Sequence, residues 1–402
     1  MKKFVYALAG VLALTFASCS SDDDEPKMKN TVEISCEEGT LYDSDTTGKT
    51  VTVTLASTES KDITVNLALS GDDADAFELT SSSVTIAAGD KTGTTTLRAK
   101  ETAMLTGNET ITITVASASD ADLNYTTATT TVNASPAISV SDLTEAQQAL
   151  LVAWKEKYGI DVRSMLGLLD VNTSVTFSED DKYTYNDGED TKTLTGQTAV
   201  TISDNATESN IVLKMTANPM GMGDFIYNMF KAVTVDDAEY WQLDPINAAI
   251  LEQYPLTGKE TFDVTLDNIV VNPTTKTLDF TGATVDAYGE EITGVPFAYV
   301  YSAYENLKTK AASGSMLTVD EGESKAEYTL SEILSQYQTL NPDAYLGISD
   351  ITEDQYYYDP SNWIKASATF DLDKKTMNFA FPWDFSGLYD YLKINVSYTL
   401  ND

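Results

Sequence analysis

The sequence predicts two folded units: an all-β sandwich, then an α+β domain of mostly antiparallel strands and short helices. Three observations predict them. Apolar and polar residues alternate in short runs between residues 31 and 134. Helical spacing replaces that alternation soon after Pro136. From Ile160 onward, hairpin-like stretches take turns with aromatic-rich helical ones. With 402 residues and 42% hydrophobic content, the chain has material for more than one core.

A leader precedes the first unit. Lys2 and Lys3 are followed by an apolar run, Phe4 to Phe16, and by the small residues Ala17 and Ser18. This is the layout of a secretory signal peptide over residues 1–18, and the run is too short to span a bilayer. The segment Phe16-Ala17-Ser18-Cys19 resembles a bacterial lipobox. That resemblance implies that Cys19 becomes the lipidated N-terminus. Ser20, Ser21, Asp22, Asp23, Asp24 and Glu25 follow, and they resemble the surface-export signal of Bacteroidetes lipoproteins. Residues 19–30 are then an acidic tether, and the expected location is the outer membrane, lipid-anchored and facing outward. A plain secretory signal and a merely solvated acidic leash are the competing readings.

Composition removes several classes of function. The formal charge is −37, which nucleic acids and anionic membrane surfaces would repel. There is no histidine, so Ser-His-Asp and Cys-His catalysis and His-ligated zinc are absent. With Cys19 lipidated, Cys36 has no partner for a disulfide and reads as a small buried hydrophobe in the first strand.

Residues 31–134 carry the sandwich pattern. Val51 to Leu55, Ile63 to Leu67, Val84 to Ile86, Thr94 to Leu97 and Ile111 to Val115 alternate Thr with Val, Ile or Leu. Period two of this kind is a half-buried strand. Gly89 and Gly107 mark turns between strands. The stretches Ala76 to Leu79, Ser83 to Asp90, Thr94 to Ala99 and Gly107 to Ile111 resemble a Calx-beta domain, which implies an immunoglobulin-like sandwich. Some members of that family bind calcium through acidic loops. Where they place an Asp-Asp pair this chain has Lys100-Glu101, and of a second acidic cluster only Glu109 remains. Calcium is therefore possible but not favoured, and no metal ligand or other cofactor is assigned. Asp72, Asp73 and Asp75 read as solvated. Asp45-Thr46-Thr47 resembles the O-glycosylation motif of Bacteroidetes, with Thr46 as acceptor.

The second unit, residues 135–402, opens with a predicted helix from Asp142 to Tyr158. Asp142 and Glu145 form a capping-box-like start, Leu150 and Trp154 lie on its apolar stripe, and Gly159 ends it. Ile269 to Phe280 and Ala368 to Phe379 both read as hairpins, and Lys276 to Phe280 matches Lys375 to Phe379 position by position. Pro219, Pro296 and Pro382 each lead into an expected short helix, giving a degenerate repeat of hairpin plus helix. The unit generally resembles α+β domains of Bacteroides lipoproteins with no assigned function, and that resemblance carries over no site.

Tyr356, Tyr357, Tyr358, Trp363 and Trp383 form the candidate ligand-binding cluster, because exposed Tyr and Trp rings stack on sugars and dominate interfaces. Plain core and rim packing is the simpler reading of the same residues. Asp180-Asp181 and Asp236-Asp237 read as solvated loops, and Met220 to Gly223 as a flexible turn rather than a phosphate loop. No catalytic residue is assigned. The expectation is a non-enzymatic surface lipoprotein binding an extracellular glycan through its second unit. The alternatives are a protein-binding or adhesive envelope protein and, third, a histidine-free glycoside hydrolase.

Overall fold

A computed structural model describes residues 30–285, 291–322, 324–347, 350–352 and 360–401. Buried apolar side chains gather in two clusters, one from Val32 to Ala134 and one from Val140 to Leu400.

The first cluster lies between two sheets. In chain order the strands are β1 (Val32–Cys36), β2 (Leu41–Tyr42), β3 (Lys49–Leu55), β4 (Ile63–Ser70), β5 (Phe77–Leu79), β6 (Ser83–Ile86), β7 (Thr92–Ala99), β8 (Glu109–Ala118) and β9 (Thr129–Ser135). One sheet runs β1-β3-β7-β5 and the other β2-β9-β8-β4-β6. Val51, Val53 and Leu55 point inward while the threonines between them do not, as a half-buried strand requires. Cys36 closes β1 half-buried rather than fully buried, and burial pushes its thiol pKa up.

Helix α1 (Glu145–Tyr158) begins three residues later than Asp142. Thr144, not Asp142, is its cap: its hydroxyl accepts the Gln147 N–H at 3.3 Å, and the Gln147 side-chain oxygen accepts the Thr144 N–H at 3.1 Å. Gly159 ends the helix at φ +66°, and Trp154 is fully buried.

Beyond α1 come β10 (Gly167–Thr176), helix α2 (Asp181–Tyr185), β11 (Thr191–Ile202), β12 (Ile211–Ala217), helices α3 (Gly223–Ala232) and α4 (Pro245–Gln253), β13 (Phe262–Asn272) and β14 (Thr277–Asp279). A ribbon of β15 (Gly282–Val285) and β16 (Glu291–Gly294) follows, then β17 (Phe297–Tyr301), α5 (Ser302–Ala312), a second ribbon of β18 (Met316–Asp320) and β19 (Lys325–Thr329), and helices α6 (Leu330–Tyr337) and α7 (Pro342–Leu346). β20 (Ser367–Asp371), β21 (Thr376–Trp383) and β22 (Leu392–Thr399) complete the described chain.

The strands run β12-β11-β10-β22-β21-β20-β14-β13, and β13 pairs back onto β12. The sheet is thus a closed antiparallel ring, with β17 added on the other edge of β13. Closure removes the free edges that would otherwise template aggregation. The two hairpins that match in sequence meet here: Thr277 pairs with Thr369, and Lys276 and Lys375 both adopt φ +55°.

Three expectations need correction. Pro296 leads first into a strand, because Phe297, Tyr299 and Tyr301 are spaced by two; only Tyr304 and Leu307 reach helix α5. Pro382 sits inside β21 and no helix follows it; β20 has ended by then, and such an edge position tolerates proline. Met220 to Gly223 is a buried corner rather than a flexible turn. Met220 and Met222 are fully buried, the Met220 N–H donates to the Tyr398 hydroxyl at 2.8 Å, and the Thr173 hydroxyl donates to the Met220 carbonyl. Gly221 is required there: φ is +68°, and a Cβ would come within 2.9 Å of Val171.

The sandwich and the ring are clasped by buried charge. Arg163 follows α1 and is 1% exposed. Its Nη1 donates to Asp43 Oδ2 in the sandwich at 2.7 Å, and its Nη2 to Asp161 at 2.6 Å. Asp43 also accepts the Leu105 and Ala137 N–H groups, each at 2.8 Å. Met104 of the sandwich packs against the second core.

Candidate functional site

Cys19, Ser21, Asp22, Asp23, Asp24, Glu25, Tyr356, Tyr357 and Tyr358 lie outside the described residues. Trp383 is not a surface residue. It is 5% exposed, stacked on Phe385 at 5.3 Å and tilted against Phe225 at 5.9 Å. Alternation along β21 places it on the inner face with Phe379 and Phe381. Trp363 is half-buried, and its indole N–H donates to the Ile351 carbonyl at 3.1 Å. The structure therefore does not assemble the predicted aromatic cluster from the two tryptophans. Thr46 is exposed on a turn that Asp45 holds by accepting from Thr47 and Gly48. Among the described residues, no group of three or more acidic or Cys side chains is arranged to hold a metal ion.

What the ring builds instead is a groove of about 400 Å³ on its outer face, across β10, β22, β21 and β20. Strand pairing sets its floor in rows. Asn172, Ser397, Asn378 and Thr369 form one row across the four strands. Ser174, Asn395, Ala380 and Ser367 form the next. Inner-face neighbours such as Val171, Phe379 and Val396 anchor each strand in the core. Adjacent strands lie about 4.8 Å apart, so one row spans roughly 14 Å.

The floor carries no charge although the chain is strongly acidic. Inner polar groups such as Thr173 and Thr198 are hydrogen-bonded. Among the described residues, the seven Asn, Ser and Thr side chains of the floor make no such bond to protein. A row of unsatisfied amides and hydroxyls can donate and accept at intervals set by the sheet.

A second feature stands where β10 and β21 end and β22 begins. Asp181 on α2 is fully buried, against the expectation of a solvated loop. It accepts from the Ser178 hydroxyl at 2.6 Å and from the Tyr389 and Asp390 N–H groups at 2.9 and 3.1 Å. It thereby ties α2 to the segment between β21 and β22. Tyr185 donates to the Gly387 carbonyl at 2.6 Å. Burial raises the Tyr185 pKa, and the neighbouring Asp181, Tyr389 and Asp237 raise it further. Burial works against the Asp237 carboxylate, but the N–H groups of Tyr240, Trp241 and Glu239 hold its pKa below the usual range. Around these hubs stand Tyr183, Tyr240 and Tyr389, exposed by 72%, 79% and 71%. Sequence reading missed both features. The period-two Asn and Ser of β10 and β22 were visible in it, but their meeting across the sheet was not.

The chain belongs to the family described as "Domain of unknown function (DUF8472)", whose model matches residues 141–399. No curated protein matches the chain. Among solved structures it is similar to a Bacteroides ovatus protein of unknown function, at 8% identity over 88% of this chain and 84% of that one, with a TM-score of 0.21. It is similar to CBD12 from CALX1.2, at 10% identity over 50% of this chain and 87% of that one, with a TM-score of 0.22. A provisionally named carbohydrate-binding protein of Bacteroides ovatus is similar at 8% identity over 92% and 97%, with a TM-score of 0.21.

Proposed function

We propose that this is a non-catalytic surface lipoprotein, anchored to an outer membrane through Cys19, that holds a neutral glycan in the outer groove of its ring. The groove carries this reading: seven neutral hydrogen-bonding side chains, in register on adjacent strands, with no protein partner among the described residues. A protein interface would place aromatic and Arg anchors at its centre, and the floor has none exposed. A charge of −37 disfavours anionic ligands.

The test is retardation of the purified protein in gels containing neutral polysaccharides, beside the variant Asn378→Ala/Asn395→Ala. Two neutral hydrogen bonds lost at about 1 kcal/mol each weaken binding by roughly tenfold or more. Both residues are exposed, so stability should be almost unchanged. Wild-type protein that no neutral polysaccharide retards, or a variant retarded equally, would refute the reading. The anchor is tested by Cys19→Ser, which should release folded protein from the outer-membrane fraction.

A further inference from the structure

The groove has a shortcoming as a sugar site: its floor offers hydrogen bonds but no exposed ring to stack on. Exposed rings stand beyond one end of these strands. Past the row of Ser174 and Asn395 comes the pair Thr176 and Lys393, one two-residue step of about 6.8 Å further on. There β10 ends and β22 begins, and the segment carrying Tyr389 and the helix carrying Tyr183 take over.

These rings are held out rather than left loose. The Tyr389 N–H is fixed by Asp181, two residues before Tyr183, so one buried carboxylate sets the backbone under both. Gly387 leaves the connecting segment no slack, since a Cβ there would lie 2.5 Å from Val233 and 2.6 Å from the Tyr185 hydroxyl. Both tyrosines are more than 70% exposed on anchored backbone. They are also rigid amphipathic contact surfaces.

We infer that Tyr183 and Tyr389 form the stacking end of an extended glycan site whose hydrogen-bonding floor is the groove. This rests on the glycan reading above. A short oligosaccharide fits the floor alone. A longer one leaves the floor past Thr176, since Lys393 beside it donates to the Ser361 carbonyl at 2.9 Å and Pro382 beyond is buried, and lays a sugar face on the rings. The tyrosines therefore select for chain length.

The experiment titrates the full-length protein with neutral gluco-oligosaccharides of increasing length. It compares wild type, Tyr183→Ala, Tyr389→Ala, Tyr389→Phe and Asn378→Ala/Asn395→Ala. The expected result is a gain in affinity with length that each Tyr→Ala variant reduces about fivefold, with short oligosaccharides unaffected. Tyr389→Phe keeps the gain, because the ring and not the hydroxyl stacks. The groove variant loses affinity at every length. Tyr→Ala variants that keep the full length dependence, while the groove variant loses binding, would overturn the inference and leave the groove reading intact. Absence of binding by wild type at any length would overturn both.

Discussion

Replacing Arg163 with Met tests whether the buried clasp holds the sandwich to the ring. Met keeps much of the length and all of the apolar character of the stem, and removes only the charge and its donors. Asp43, 1% exposed, would keep its two backbone N–H donors but lose its cation. Removing one partner of a buried pair costs about 3–5 kcal/mol, because the other charge is left uncompensated. Asp161 also loses the Nε and Nη2 donors of Arg163, but its side chain is 29% exposed and water compensates part of that charge. The assay is urea unfolding followed by tryptophan fluorescence. With an m-value of ~3 kcal/mol/M, Arg163→Met should lower the midpoint by about 1 M or more. Adding Asp43→Asn should then cost less than the sum of the single changes, since the stranded charge is gone. A midpoint for Arg163→Met within ~0.2 M of wild type, or strictly additive single changes, would refute the reasoning.

The same clasp predicts an acid limb. Burial alone would raise the Asp161 carboxyl, but Arg163 outweighs it and holds the folded-state pKa below the ordinary 3.8. A lowered folded pKa contributes stability in full above the unfolded value, and that stability is lost as pH falls through the folded one. Stability measured below about pH 4 should therefore fall more steeply in wild type than in Arg163→Met. Tyr398→Phe removes the acceptor of the Met220 N–H and a partner of Thr198, and should cost about 1–3 kcal/mol in the same urea assay. Trp383→Ala empties a core position and should cost about 3–5 kcal/mol, while glycan binding per folded molecule stays unchanged.

Local pattern determined much of this protein by itself. Thr alternating with Val and Ile is enough to place β3, β4 and β8, and Gly159 is enough to end α1, because these depend on periodicity and backbone freedom within a few residues. The matched hairpins at Lys276 and Lys375 were legible for the same reason. The absence of histidine and the charge of −37 closed off whole classes of chemistry before any fold was known. Other features depend on what covers a residue, and only the tertiary structure decided those. Trp383 and Asp181 look like surface residues in one dimension and are buried in three. Asp43 and Arg163 are separated by 120 positions and form one ion pair. Asn172, Ser397 and Asn378 become a single row only once β22 lies between β10 and β21. Periodicity says which residues share a face, whereas closure of the ring says which faces meet, which are covered and which stay open to a ligand.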